Sequence, residues 1–193
     1  MNKKCLVLLL LIPFQLMFAQ KSLLKDFPEG YTPQEIGKRL AYRFLTEKHA
    51  LHIGKWIGYP ETFYWNGALR YAELAKDKEL IKRLQDRFEP LFTEEKALQP
   101  IMNHVDVNMV GSLPLELYRV TKDKKYWYLG LPYADSQWKV PVNAKPEEKE
   151  WAEKGYSWQT RLWIDDMYMI TIVQTRAYKV TKDKKYIDRA AKE

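Results

Sequence analysis

The chain predicts an all-α fold of stacked helical hairpins, and three observations carry that expectation. Apolar residues recur at helical spacing from Ile36 onward, and no stretch keeps the two-residue alternation of a half-buried strand. The heptad Val120-Thr-Lys-Asp-Lys-Lys-Tyr126 returns unchanged as Val180-Thr-Lys-Asp-Lys-Lys-Tyr186, sixty residues on, with a weaker copy at Leu74-Ala-Lys-Asp-Lys-Glu-Leu80. Each copy closes one apolar segment and offers Asp77, Asp123 or Asp183 as the N-cap of the next. Hairpins that pair a buried inner helix with a more amphipathic outer one build an α/α toroid.

The elements follow in order. Thr32-Pro33-Gln34-Glu35 supplies a capping threonine, a proline at the first helical position and a glutamate at the third, launching a helix with Ile36, Leu40 and Phe44. His49 and His52 then read as structural donors to that helix's last carbonyls. Residues 60–74 and 77–92 form the first hairpin, and 107–120 and 123–138 the second. The connection 139–155, with Pro141, Pro146 and Glu147-Glu148-Lys149-Glu150, reads as a long loop that either lines a site or is a solvated spacer. Residues 162–180 are apolar on nearly every side, which predicts a helix buried all round. Asp183 opens a last helix with Ile187, Ala190 and Ala191 on one face, and the chain stops at Glu193 before that face is covered. The expectation is the first half of a longer protein, about three hairpins of an incomplete barrel.

Composition narrows the class. With 46% hydrophobic residues, seven Trp and thirteen Tyr, the chain is globular. Lys3 and Lys4, an apolar run from Cys5 to Phe14 and a small Ala19 mark residues 1–20 as a secretory signal, leaving 21–193 as the mature domain, secreted or periplasmic. The run is shorter than the ~20 residues a membrane span needs. Cys5 is the only cysteine and lies in that leader, so the mature chain has neither thiol nor disulfide. Losing Lys3 and Lys4 lowers the net charge from +7 to +5. The surplus comes from turn lysines, a solvated surface that suits acidic glycans better than nucleic acid, for which no module is present. No metal-ligand spacing appears, and neither a metal nor another cofactor is expected.

Two carboxylate motifs carry the chemistry. Trp163-Ile164-Asp165-Asp166-Met167-Tyr168-Met169 sets adjacent carboxylates in an apolar helix, where an unpaired charge is costly unless it is partnered or functional. His104-Val105-Asp106-Val107-Asn108 places another carboxylate before a second apolar helix; the competing reading of Asp106, compatible with a functional one, is an N-cap for a helix beginning at Val107. Paired acids suit hydrolysis or hydration of a sugar.

These motifs, each followed by Thr-Lys-Asp-Lys-Lys-Tyr, resemble the unsaturated glucuronyl and rhamnogalacturonyl hydrolases, glycoside hydrolase families 88 and 105, from about Tyr59 to the end. The resemblance implies an (α/α)6 six-hairpin barrel and removal of an unsaturated uronic acid from lyase-generated oligosaccharides. It makes Asp165 the general acid/base and Asp106 its partner; Asp166 is read as fixing a neighbouring loop or helix end. Tyr64, Trp65, Trp158 and Trp163 are candidate sugar platforms, Asn66 and Gln159 candidate partners for hydroxyls, Arg161 for a uronate carboxylate, and His104 a further substrate contact. The chain departs from the family in two respects. No histidine follows His104, where relatives place a histidine and a lysine about ten residues before the aspartate. The family's Gly-rich Trp-Gly-Arg segment is also missing, so the chain by itself is expected to be inactive. Thr-Lys-Asp replaces Thr-Gly-Asp, which leaves a left-handed turn unassured. A toroid polysaccharide lyase and a noncatalytic glycan-binding repeat are the rival readings.

Overall fold

The computed structural model describes residues 26–193, and the expected signal segment, 1–20, lies outside them. The chain divides into two units, residues 1–36 and 37–193. In the first, the capping box forms. The Glu35 N–H donates to Thr32 Oγ1 at 3.2 Å and the Thr32 N–H to Glu35 Oε2 at 3.0 Å, at the start of α1, Pro33–Phe44.

The second unit is a stack of three helical hairpins. Helix α2 (Tyr59–Leu74) pairs with α3 (Lys78–Phe88). After a one-turn helix α4 (Val105–Asn108), α5 (Ser112–Thr121) pairs with α6 (Lys124–Ser136). Beyond α7 (Pro146–Glu153), α8 (Ile164–Thr181) pairs with α9 (Lys184–Lys192). The inner helices α2, α5 and α8 pack against one another in chain order, the arrangement of a toroid wall. One apolar cluster, around Trp65, Phe88, Leu113 and Tyr126, fills the first junction; a second, around Leu115, Tyr133, Ile170 and Val173, fills the next. No helix among the described residues is long and apolar enough to cross a membrane.

The repeated heptads build identical turns. Thr121 and Thr181 each donate a hydroxyl 2.8 Å to the carbonyl four residues back, and each accepts from the N–H of the following aspartate. Asp123 and Asp183 then cap α6 and α9 through Oδ1 at 3.0 Å; Asp77 caps α3 at 2.9 Å. Between them Lys76, Lys122 and Lys182 take φ of 56°, 64° and 63°, so the left-handed turn forms without glycine. Tyr126 and Lys125 reach back to Glu89 after α3, and Tyr186 and Lys185 reach back to Asp135 in the last turn of α6.

Several boundaries differ from the sequence-based expectation. The segment 107–120 is interrupted: the buried Asn108 amide donates to the Tyr133 carbonyl at 2.9 Å, and a 3-10 turn, Met109–Gly111, follows. Gly111 lies flat on Tyr133 with no room for a Cβ. Helix α3 gives way at Pro90 to a 3-10 turn, Glu89–Phe92. The connection 139–155 is not a bare loop, because Pro146 starts α7 and Glu148 accepts from the Lys145 N–H at 2.8 Å. A two-residue antiparallel ladder, β1 (Leu51–His52) with β2 (Trp56–Ile57), turns through Ile53 and Gly54, both at positive φ. It leaves the all-α class intact and sets His52 beside the start of α2.

His49 does not cap α1 as expected. Its ring bridges Glu61 Oε1 at 2.7 Å and Glu95 Oε2 at 3.2 Å, while Arg87 reaches the same Glu61 oxygen at 3.0 Å. Burial alone would raise the pKa of Glu61. The hydrogen bonds from His49, the Ala50 N–H and Arg87 outweigh it and hold the carboxyl below its ordinary value.

Candidate active site

Helix α8 is not buried all round, and its first turn explains why. Met169, Ile170, Val173 and Ala177 define the buried arc, and at about 100° per residue Asp166 falls in its middle while Asp165 and Tyr168 fall outside. Asp166 is fully buried. Asp165 is exposed, and among the described residues its carboxylate has no hydrogen-bond or ion-pair partner. The buried carboxylate of the motif is therefore Asp166, not Asp165.

Arg161 organises the other charges. Its Nε and Nη2 donate to the two oxygens of Asp166 at 2.7 and 2.6 Å, and Nη2 also reaches Asp106 Oδ1 at 3.0 Å. These bonds, with Asp166 first, push the guanidinium pKa further up, so it is a permanent cation. Leu162 follows with φ of 59°, a strained value for a residue with a Cβ, and Trp163 lies over the guanidinium at 5.0 Å. The preceding segment is pinned as well: Ser157 Oγ donates to the Gln137 carbonyl at 2.8 Å and Trp158 Nε1 to the Ser136 carbonyl at 2.7 Å.

Asp106 is the second residue of α4 and not its cap. His104 takes the N-cap position, its Nδ1 accepting from the Asp106 N–H at 3.2 Å, which leaves the Asp106 carboxylate free for Arg161. From His104 a row of rings runs toward α8. His52 lies 6.5 Å from His104, Tyr59 6.3 Å from His52, Phe63 6.3 Å from Tyr59, and Tyr168 stacks on Phe63 at 5.5 Å. Tyr59, Phe63 and Tyr168 keep an exposed face, as sugar-stacking rings require.

The sequence-predicted residues thus separate. Asp106, His104 and Arg161 come together, with Trp163 against Arg161, and Trp158 and Gln159 line a recess beside His104 and Arg161. Trp65 is corrected: it is fully buried between Phe44 and Phe88, a core ring no sugar reaches. Tyr64 stacks on Phe44 in a separate groove with Leu40 and Arg43. Asn66 donates to Ser112 Oγ at 3.2 Å, between α2 and α5. The sequence reading missed His52, Tyr59, Phe63 and Tyr168. Only Tyr168, three residues beyond Asp165 and so near it on the helix surface, carried a local signal. Among the described residues no group of three His, Cys or carboxylate side chains is placed to hold a metal.

An all-α stack of helical hairpins that gathers carboxylates, an arginine and open aromatic faces at its helix starts has the form of a carbohydrate-processing protein. Residues 34–193 match the model of Glycosyl Hydrolase Family 88, and the chain belongs to that family. The family acts as glycoside hydrolases on unsaturated uronides. Comparison with curated proteins and with solved structures gave no match.

Proposed function

We propose that this glycoside hydrolase removes a Δ4,5-unsaturated uronic acid from the non-reducing end of oligosaccharides left by a polysaccharide lyase. Asp165 gives its proton to C4 of the enol-ether double bond. Positive charge then develops at C5 and the ring oxygen, and the Asp106 carboxylate, held by Arg161, serves as the partner of Asp165 or holds the sugar hydroxyls. Water adds to C5 and returns a proton to Asp165, and the resulting hemiketal opens and releases the next sugar. The step needs no cofactor.

One observation supports this division of labour. Two aspartates adjacent in sequence have opposite surroundings, Asp166 locked to Arg161 and Asp165 unpaired and open to an incoming substrate. The test follows the absorbance of the unsaturated uronide. The full-length wild-type protein consumes it, and its Asp165→Asn variant, lacking a proton donor worth ~10²–10⁴ in rate, does not. Appearance of that absorbance from an intact polysaccharide would instead mark a lyase, and sugar binding without turnover a noncatalytic repeat.

Residues 1–20 serve in this proposal as an export signal, with 21–193 in the toroid of a six-hairpin enzyme in the periplasm or outside the cell. Sequencing the N-terminus of the secreted protein tests the cleavage.

A further inference from the structure

The repeated heptad carries three lysines, and the hairpin junctions employ one of them. Lys125 and Lys185 reach back to the preceding hairpin, whereas Lys122 and Lys124, with their counterparts Lys182 and Lys184, are exposed and have no ion-pair partner among the described residues. Lys122 and Lys182 also hold φ of 64° and 63°, and a strained residue with an unpaired charge points to a partner outside the chain. Each stands beside a ring. Lys122 Nζ lies 5.9 Å from the Tyr118 ring centroid and Lys182 Nζ 5.8 Å from that of Tyr178. At the second hairpin the pattern deepens into a recess of about 240 Å³ bounded by Tyr118, Lys124, Trp127 and Tyr128. Trp127 meets Tyr118 edge to face at 5.1 Å, and Tyr128 is 70% exposed. These turns lie at the far ends of α5 and α8 from the carboxylate site, Lys182 being about 25 Å from Asp165 along α8 at ~1.5 Å per residue.

We propose that this end of the hairpins is a second, noncatalytic binding surface for an acidic glycan chain. One sugar ring sits in the recess against Trp127 and Tyr128, and carboxylates of its neighbours pair with Lys122, Lys124, Lys182 and Lys184. The apolar faces of sugar rings need open aromatic faces, which Tyr128 offers. At about 240 Å³ the recess is smaller than the ~300–1,000 Å³ of drug-sized sites and suits a single ring. The unpaired cations are all lysines, point charges on flexible stems, which suit a polymer whose acid groups vary in position better than a forked guanidinium does. A glycan is favoured over nucleic acid because the chain belongs to a family that acts on uronides, and because two unpaired lysines per turn fall short of a groove that tracks every phosphate. The surface stands apart from the reaction proposed above, since none of its residues lies at the helix starts that carry Asp106 and Asp165.

Affinity electrophoresis of the full chain tests the surface, in gels containing polygalacturonate or chondroitin sulfate, with fully methyl-esterified polygalacturonate as the uncharged control. The wild-type protein is retarded by an acidic polymer and not by the ester. Two variants, Lys122→Gly with Lys124→Gln, and Tyr128→Ala alone, each weaken the retardation about tenfold, the loss of two surface charges or of one stacked ring. All three positions are exposed and the glycine relieves a left-handed backbone, so both variants fold, and their unfolding temperatures verify it. No retardation of the wild type in either acidic gel overturns the proposal, as does equal retardation of wild type and both variants, or equal retardation by the ester. Tighter binding of an oligothymidylate than of the acidic glycans overturns it in favour of nucleic acid. Turnover of an unsaturated disaccharide stays at the wild-type level in both variants, so absence of that activity in the wild type sinks the hydrolase reading alone and leaves the electrophoretic result to decide the surface.

Discussion

Arg161 Nη2 lies 3.0 Å from Asp106 Oδ1, a contact between residues 55 apart in sequence that ties the segment before α8 to the start of α4. The same guanidinium is gripped from the other side by both oxygens of Asp166. A planar fork suits three such contacts, and a point charge does not.

Replacing the fork tests that arrangement. Arg161→Lys keeps the charge but cannot hold Asp166 bidentately and Asp106 at once, so the carboxylate site loosens. The expected result is a fall in kcat of up to about 100-fold, the effect of an ångström of misplacement. Steady-state kinetics on an unsaturated disaccharide gives the value, and full activity in the lysine variant would show that Arg161 only fills space.

The adjacent aspartates are predicted to fail in different ways. Asp165→Asn changes an exposed, unpaired group and should shift stability by no more than about 0.5 kcal/mol while removing turnover. Asp166→Asn takes the charge from a fully buried partner of Arg161. It should cost roughly 1–3 kcal/mol in a denaturant titration, below the ~3–5 kcal/mol of a wholly buried pair because Arg161 is partly exposed. Equal stability of the two variants would refute the assignment.

Acid should act through Glu61. Its folded pKa is lowered, so the folded state binds that proton less readily than the unfolded chain. The stabilisation it gives is complete above the ordinary glutamate pKa of about 4.3 and is lost as pH falls through the folded value. Glu61→Gln should be less stable than wild type at neutral pH, with the gap closing below about pH 4. Unfolding midpoints across that range decide it, and a gap that widens in acid contradicts the sign.

The left-handed lysines offer a gain. A side chain in this conformation costs about 1–2 kcal/mol relative to a residue without a Cβ, part of which glycine returns through its freer unfolded chain. Lys122→Gly and Lys182→Gly should each add about 1 kcal/mol, measured as a rise in unfolding temperature, and additively because they lie in separate turns. Loss of stability would mean that the lysine contacts outweigh the backbone strain.

What the sequence revealed and what it hid follow from how local each feature is. Asp77, Asp123 and Asp183 cap the helices within their own turns, so the hairpins were legible from the heptads alone. The burial of α8 was not. Trp163 and Ile164 continue the apolar run past the point where the buried arc ends, which disguised Asp165 as a buried group. Trp65 looked like a platform because an aromatic ring in a helix reads the same toward core and toward solvent. Helix α7 was overlooked although Pro146 and Glu148 signal its start. The Gln159 recess gathers residues from three separate segments, and no spacing announces it.

The paired turns also bear on how the chain finds its order. Tyr126 with Lys125 clasps Glu89, and Tyr186 with Lys185 clasps Asp135, by the same chemistry at successive junctions. A latch that repeats cannot tell one neighbour from another, so the third hairpin would fasten as readily to the first as to the second. The discrimination falls to contacts that the first junction lacks: Arg189 of α9 adds a second cation to Asp135 at 3.4 Å, where the equivalent residue sixty positions earlier is Leu129, and Gln174 of α8 donates to the Ala134 carbonyl of α6 at 2.7 Å. Removing Arg189 or Gln174 would therefore cost more than one bond: it would erase part of the difference by which the hairpins recognise their sequence of assembly, and mispaired species would accumulate during refolding.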